Sequence, residues 1–367
     1  MNDVVIVGGG VIGLSIARRA AQEGLGVLVL EKGEPGDGAS GVAAGMLAPV
    51  TEASFGEEEL LQLTLESARM YPEFTRELSQ STGMNLESGS PGTLFVALDR
   101  DQLENLRRLF DFQTSLGLEV EWIDVEQARE LEPLLHPSTR GAVLAPGDKE
   151  VHSRRLLRSL ASDLNRLGGR LQTDTEVAAV EPGAVKLSSG ERVEAGSVVV
   201  AAGSWSSEIG GLPADLAQLL RPVKGQIIRL SPPRNQASAL SKHVLRTSEV
   251  YLIPRGEEVV VGATVEELGY DTSITAGGVL ELLSAADELV PGIREMEISE
   301  ISAGLRPATP DNAPIIDSFD GGKLIVATGH YRNGILLAPV TAEAVVEALA
   351  TARMPARMAP FALGRFK

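Results

Sequence analysis

The chain begins with Val4-Val5-Ile6-Val7-Gly8-Gly9-Gly10-Val11-Ile12-Gly13 and reaches Val27-Leu28-Val29-Leu30-Glu31 some fifteen residues later. An apolar strand, a glycine turn, a helix, a second apolar strand and then an acid form a unit suited to gripping a dinucleotide. Gly8 permits the tight turn, Gly10 lets backbone approach a pyrophosphate, and Gly13 lets the helix pack closely on the sheet. The helix N-terminus offers free N–H donors and the positive end of a dipole to phosphate. Glu31 is placed to accept from ribose hydroxyls, and with no arginine beside it an acid there repels a 2′-phosphate. FAD and NAD both remain open, and NADP is disfavoured. Lys32 adjoins Glu31 and is equally compatible with a position in solvent.

Composition narrows the function classes. With 367 residues there is enough chain for two domains. A formal charge of −17 repels nucleic acid and anionic membrane. There is no cysteine, which removes disulfides, iron–sulfur clusters, thiolate metal sites and cysteine-linked flavin. The four histidines, His136, His152, His243 and His330, include no pair at metal-ligand spacing, so no metal is expected. The start lacks the marks of a secretory leader and no apolar run is long enough to span a bilayer. A cytoplasmic protein without a membrane span is the expectation.

Along the chain, two textures alternate. The α/β style of residues 4–30 leads into a small-residue loop, Gly36 to Pro49, whose alanines and glycines suit backbone lying against a flat ligand. Helical periodicity fills 57–82, strands are expected at 93–98 and 120–123, and a helix at 102–116. Ser153 reads as the N-cap of a helix over 154–167. Strands follow near 175–180 and at 197–203, where the unbroken run Val198–Ala202 predicts a parallel strand covered on both faces. Residues 221–305 read as antiparallel strands at 225–230, 251–254 and 259–264 with a helix at 276–289. A strand at 324–327, a glycine turn and a long helix from Gly334 to Ala350 end the chain. The expected architecture is α/β: a Rossmann-like cofactor domain (1–85, 146–220, 306–367) interleaved with an α+β substrate domain on an antiparallel sheet (86–145, 221–305).

Three longer motifs then narrow the reading: Gly45-Met46-Leu47-Ala48-Pro49, Ala303-Gly304-Leu305-Arg306-Pro307-Ala308-Thr309-Pro310-Asp311, and Ala327-Thr328-Gly329-His330-Tyr331-Arg332-Asn333-Gly334-Ile335-Leu336-Leu337-Ala338-Pro339. In this order, over nearly the whole chain, they resemble the D-amino acid oxidase group of FAD-dependent amine oxidases, and within it the glycine oxidases of thiamine biosynthesis. The resemblance implies non-covalent FAD. Its adenosine end would lie against Gly8, Gly10, Val11, Ile12, Gly13, Glu31 and Lys32, with Val177 near the adenine. Ala39, Ser40, Ala44, Gly45, Met46 and Gly203 would line the rest. His330, Tyr331, Arg332, Asn333, Gly334, Ile335 and Leu336 would meet the pyrimidine end of the ring, where the helix start at Gly334 suits developing negative charge.

For the substrate, the resemblance assigns the α-carboxylate to Arg306, whose guanidinium fork matches a carboxylate, supported by the Tyr251 hydroxyl, with Arg332 nearby. No side chain stands out as a base, so positioning for hydride transfer is the implied mechanism. The implied reaction takes glycine, sarcosine or a small D-amino acid to a 2-oxo acid, ammonia and hydrogen peroxide, with oxygen as acceptor and a homo-oligomer as the assembly. A D-amino acid or D-proline dehydrogenase with another electron acceptor shares nearly every residue and is the alternative. Two departures bear on selectivity. Val265 stands where glycine oxidases can carry a methionine, and Glu249 and Val250 precede Tyr251, making the mouth more acidic.

Overall fold

The computed structural model describes residues 2–86, 89, 91–233 and 240–367. Its first segment contains β1 (Asn2–Val7), α1 (Val11–Gln22), β2 (Val27–Leu30), the short α2 (Ala39–Val42), β3 (Met46–Leu47) and the long α3 (Glu58–Thr82). The second contains β4 (Thr93–Ala97), α4 (Arg100–Ser115), β5 (Glu121–Ile123), α5 (Val125–Leu131) and β6 (Gly141–Ala145). A third adds β7 (Lys149–Glu150), α6 (Ser153–Arg166), β8 (Arg170–Gln172), β9 (Val177–Glu181), β10 (Ala184–Leu187), β11 (Arg192–Val200) and α7 (Ala214–Leu219). The fourth holds β12 (Arg221–Ser231), β13 (Val244–Arg246), β14 (Tyr251–Arg255), β15 (Glu258–Gly262), α8 (Ala276–Leu289) and β16 (Glu297–Ala308). Last come β17 (Ile315–Phe319), β18 (Leu324–Thr328) and α9 (Ala338–Thr351).

These segments feed two large sheets. One runs β17-β18-β11-β1-β2-β8, with β10 and β9 branching from β11. Its central pairs, β11 with β1 and β1 with β2, are parallel. Val4 and Ile6 of β1 point into the core shared with α1, α6 and α9, while Val5 and Val7 point into a core with Val177, Val180 and Leu216. Both faces being covered is why the strand reads as an unbroken apolar run.

The other sheet runs β16-β12-β15-β14-β13-β4-β6-β5 and is antiparallel except between β4 and β13. That parallel seam joins strands contributed by two separate passages of the chain. Leu252, Val261 and Ile228 face α8 on one side. The opposite face meets residues 42–46 through Ile227, Val244, Ile253 and Val260. This is the α/β architecture with an interleaved antiparallel sheet that the sequence implies. The strand carrying Arg306 runs unbroken from Glu297 to Ala308, so that arginine belongs to the second sheet.

Local expectations shift in several places: the strand expected at 197–203 is Arg192–Val200, and the one expected at 259–264 ends at Gly262. The last helix opens at Ala338, four residues beyond Gly334, because Pro339 lacks an N–H and belongs in a first helical turn. Ser153 does not cap α6; His152 occupies the cap position, and the Ser153 hydroxyl donates to the Ala43 carbonyl at 2.6 Å. The strand expected near 175–180 covers Val177–Glu181.

Candidate active site

A cavity of about 1210 Å³ runs from the first sheet to the second. Its volume exceeds the few hundred Å³ typical of a small-molecule pocket and suits an extended dinucleotide with a second ligand. It is lined by Gly8, Gly10, Val11, Ile12, Glu31, Lys32, Ala39, Ser40, Ala44, Gly45, Met46, Val177 and Gly203, by every residue from His330 to Ile335, and by Tyr251 and Arg306. The structure thus gathers nearly all expected positions into one space. Gly13 is the correction, and of Leu336 only the backbone N–H stays open toward the cavity end. A Cβ on Gly13 would sit 1.9 Å from the Gly8 carbonyl oxygen, so this glycine serves helix–strand packing behind the cavity wall. Leu336 is buried in the core, and its carbonyl accepts from Ser67 at 2.6 Å.

At the β1–α1 turn, Gly8 adopts φ +111° and its missing Cβ leaves room for the Ala201 carbonyl. Ser40 Oγ accepts from the Val11 N–H at 3.0 Å. Among the described residues the Gly10 and Ile12 N–H groups have no protein acceptor, which leaves donors for a phosphate at the helix end. Glu31 accepts from Gly9 N–H at 2.6 Å and Gly33 N–H at 3.0 Å, which fixes its carboxylate at the rim with lone pairs to spare. Lys32 does not extend freely into solvent: its Nζ lies 3.9 Å from the Trp205 ring centroid. Burial, outweighing the opposing pull of Glu31 and Glu176, moves the Lys32 ammonium below its usual range.

The small-residue loop is clasped from behind. Gly45 takes φ +85°, where a Cβ would lie 2.0 Å from the Val151 carbonyl oxygen. Buried Arg255 donates through Nη2 to the Ala44 carbonyl and, at 2.8 Å, to that of Val151. Arg154 bonds the Gly41 carbonyl at 2.9 Å and Glu300 of β16 at 2.8 Å. Next along the chain, buried Asp148 accepts from Val50 N–H at 3.1 Å, Thr51 N–H at 3.2 Å and the Thr51 hydroxyl at 2.6 Å. Burial raises the Asp148 carboxyl to about 6 even against those bonds.

At the far end, strand register decides which residues meet. Arg246 lies opposite Tyr251, Tyr251 opposite Gly262, Gly262 opposite Ile227 and Ile227 opposite Ser302. Directly opposed residues share a face, and the period of two then adds Gly225, Gly304 and Arg306 to it. A Cβ on Gly225 would fall 2.3 Å from Arg306 Nη2, and one on Gly262 would fall 2.4 Å from the Tyr251 hydroxyl. These two glycines make room for the two side chains, both of which line the cavity. Arg306 Nη1 donates to the Thr264 carbonyl at 3.1 Å and, more weakly, to that of Lys224 at 3.4 Å. Its Nη2 and Nε have no protein partner among the described residues. Burial pushes the Tyr251 hydroxyl up, so it stays protonated and can donate.

The sequence reading missed Glu52, Arg246 and Trp205, all of which line the cavity. Glu52 is hydrogen-bonded to Arg246 Nη1. Burial would raise its carboxyl, but Arg246, then Arg332 and Arg306, outweigh burial and hold it below the carboxylate range. Nothing in the local sequence marks an acid in a loop or an arginine at a strand end. Gly225 and Gly262 carried a signal, since glycine inside an apolar strand often marks close approach. Arg332 lies with Cζ 5.0 Å from the Tyr331 ring centroid. His330 is buried, its Nε2 is 3.2 Å from Thr341 Oγ1, and burial lowers its ring to about 3. It is therefore neutral and a wall residue. Beyond it, the N–H groups of Gly334, Ile335 and Leu336 have no protein acceptor among the described residues.

The open donors at both ends, the Glu31 rim and the glycine cradle match an FAD-sized ligand. The model of the FAD dependent oxidoreductase family (DAO) matches residues 3–348. The chain belongs to this family. FAD is accordingly the cofactor of this oxidoreductase. It is 34% identical to the glycine oxidase of Geobacillus kaustophilus over 369 residues, covering 99% of this chain and 97% of that protein. The crystal structure of the glycine oxidase from Geobacillus kaustophilus superposes with a TM-score of 0.90 at 33% identity, covering 99% of this chain and 98% of the other. The bifunctional protein ThiO/ThiG of Trichormus variabilis is 32% identical, matching 100% of this chain and 55% of that longer protein. Among the described residues, no helix is long and apolar enough to cross a membrane.

Proposed function

We propose that this oxidoreductase catalyses the oxidative deamination of glycine or another small amino acid, such as sarcosine or a small D-amino acid, to a 2-oxo acid, ammonia and hydrogen peroxide. The observation that carries it is the pairing of Arg306 and Tyr251 on one sheet face, each accommodated by a glycine, at the end of the cavity opposite the β1–α1 turn. Similarity to glycine oxidases over the full chain supports the same reading. The two sheets with their helices serve as cofactor and substrate domains; the expected division, 1–85, 146–220 and 306–367 against 86–145 and 221–305, moves its last boundary past Ala308, so that β16 with Arg306 stays in the substrate domain. Oxygen as acceptor, a homo-oligomeric assembly and a cytoplasmic location belong to this reading too. So does a role in thiamine thiazole formation, supported by the likeness to the ThiO/ThiG relatives.

Bound FAD supplies the hydride acceptor. Arg306 offers the α-carboxylate two donors, Nη2 and Nε, while Thr264 and Lys224 hold its third nitrogen from behind. Tyr251 donates a further bond to the same carboxylate, and together they restrict the orientation of the α-carbon hydrogen. The amine enters neutral, so no side-chain base is needed. Glu52 is ionised and bonded to Arg246, Tyr251 is protonated, and His330 is spent on Thr341. The free N–H groups of Gly334 to Leu336 and the Arg332 guanidinium provide positive potential where negative charge develops. Water hydrolyses the released imine.

An anaerobic substrate panel with oxygen readmission tests the proposal. Glycine, sarcosine or D-alanine should bleach the yellow protein, and air should restore the colour with release of peroxide. Bleaching without rapid recolouring would replace the oxidase by a dehydrogenase; failure of every small amino acid would remove the substrate assignment. Arg306→Ala should lower kcat/KM by about 100- to 1000-fold while the flavin stays bound, the scale expected for a lost charge-assisted pair.

A further inference from the structure

We propose that the site accepts amino acids carrying a second carboxylate, with Arg246 as the residue that recognises it; this rests on the amino acid oxidase reading above. Three guanidiniums, Arg246, Arg306 and Arg332, line the cavity; Glu52 lies among them, and Glu57 adds its charge on the Arg332 side. Glu249 also lines the cavity but is exposed and screened by solvent.

Arg246 is built to present its free edge. Its register opposite Tyr251 turns it to the cofactor side of the sheet. The guanidinium stacks over Phe95, with Cζ 5.1 Å from the ring centroid. Glu52 takes Nη1 and is the acid to which it is paired. Among the described residues Nη2 and Nε have no protein partner, and neither is sealed from the cavity. A purely structural ion pair would not need its cation on the substrate face beside two more. Three short residues, Ala48, Ala263 and Val265, are among those that line the cavity. The second carboxylate would be carried on the amine nitrogen, as in N-carboxymethylglycine, or on the side chain, as in D-aspartate.

Two matched pairs separate these sources: iminodiacetate against sarcosine, and D-aspartate against D-alanine, assayed on the holoenzyme. The expected result is a kcat/KM at least threefold, and up to about a hundredfold, higher for the diacid in one pair. Arg246→Gln should bring that ratio to about one, and Arg246→Lys should keep part of it. Titration of the flavin spectrum with malonate and acetate needs no variant and no turnover; malonate should bind at least threefold more tightly. Ratios below threefold in both pairs, or a ratio unchanged in an Arg246→Gln enzyme with the parental flavin spectrum, would overturn the proposal. If sarcosine and D-alanine are oxidised but diacids are not preferred, only this proposal falls. If no amino acid reduces the flavin, the oxidase reading falls, and equal malonate and acetate affinity then removes the second subsite as well.

Discussion

Single side chains in this enzyme depend on what their neighbours lack. Arg306 can lie across β12 only because position 225 has no Cβ. Gly225→Ala places a methyl where Nη2, Nη1 and Cζ stand, within 2.3–2.5 Å, and the guanidinium must move. The expected outcome is a KM for glycine raised by about 10- to 100-fold with FAD content unchanged, since displacing one charged fork costs a few kcal/mol of binding. Steady-state assays beside the flavin absorbance check it; unchanged kinetics would mean that Arg306 is not held against β12.

Asp148 provides a pH signature at the same scale. Its carboxyl sits at about 6 when folded, against 3.8 for the free group, because burial opposes its charge. As pH rises from 4 to 6 the unfolded chain releases this proton before the folded one does. The group therefore gives its full stabilisation at low pH and loses it as pH rises through 6, by on the order of 3 kcal/mol. In Asp148→Asn that slope is absent, so the Tm difference between variant and parent should move in favour of the variant between pH 4 and 7. A difference constant across that range would contradict the assignment.

Among the elements, α1 and α9 show how the glycines and a proline punctuate helices. The helix α1 packs on β1 so closely that a Cβ at position 13 would overlap the Gly8 carbonyl oxygen. Gly13→Ala must push the helix away from the glycine turn that lines the cavity, at a cost of about 3 kcal/mol. The variant should purify with less than a tenth of the parental flavin-to-protein absorbance ratio; a fully yellow Gly13→Ala protein would show that the turn tolerates the shift. The start of α9 follows the same logic of local chemistry. The expected start at Gly334 is four residues early: Pro339 fits a first helical turn and the helix opens at Ala338, with Gly334 in the turn before it. That turn is what carries the open N–H groups, so the donors expected near Gly334 are present although the helix begins later.

On the scale of the whole molecule, the cavity exists because two sheets close on the loop between them. Arg255, on the second sheet, donates to the Ala44 and Val151 carbonyls and so ties that sheet to the cofactor loop. Arg255→Met keeps the volume and removes the donors, leaving buried carbonyls unpaired at about 2–4 kcal/mol. Flavin fluorescence should then appear at a temperature several degrees below the parental one in a thermal release scan. An unchanged release temperature would show that the loop is held by other contacts.

Much of this was readable from the chain alone, for a physical reason. The β1–α1–β2 unit, Glu31 and the helices over 58–82 and 276–289 rest on periods of 3.6 and 2 and on turn glycines, all set by near neighbours. The resemblance carried by residues 45–49, 303–311 and 327–339 extended that to FAD and to Arg306. What local pattern does not encode is which distant segments share a face. Glu52 in a loop, Arg246 at a strand end, Arg306 within β16 and Arg332 beyond a glycine turn meet only through strand order and register, including the seam where β4 and β13 run parallel. Sequence determined that a dinucleotide is held and where the strands and helices run. Tertiary structure alone decided that three arginines surround one acid at its far end, because long-range pairing is settled by burial of whole sheets rather than by adjacent residues.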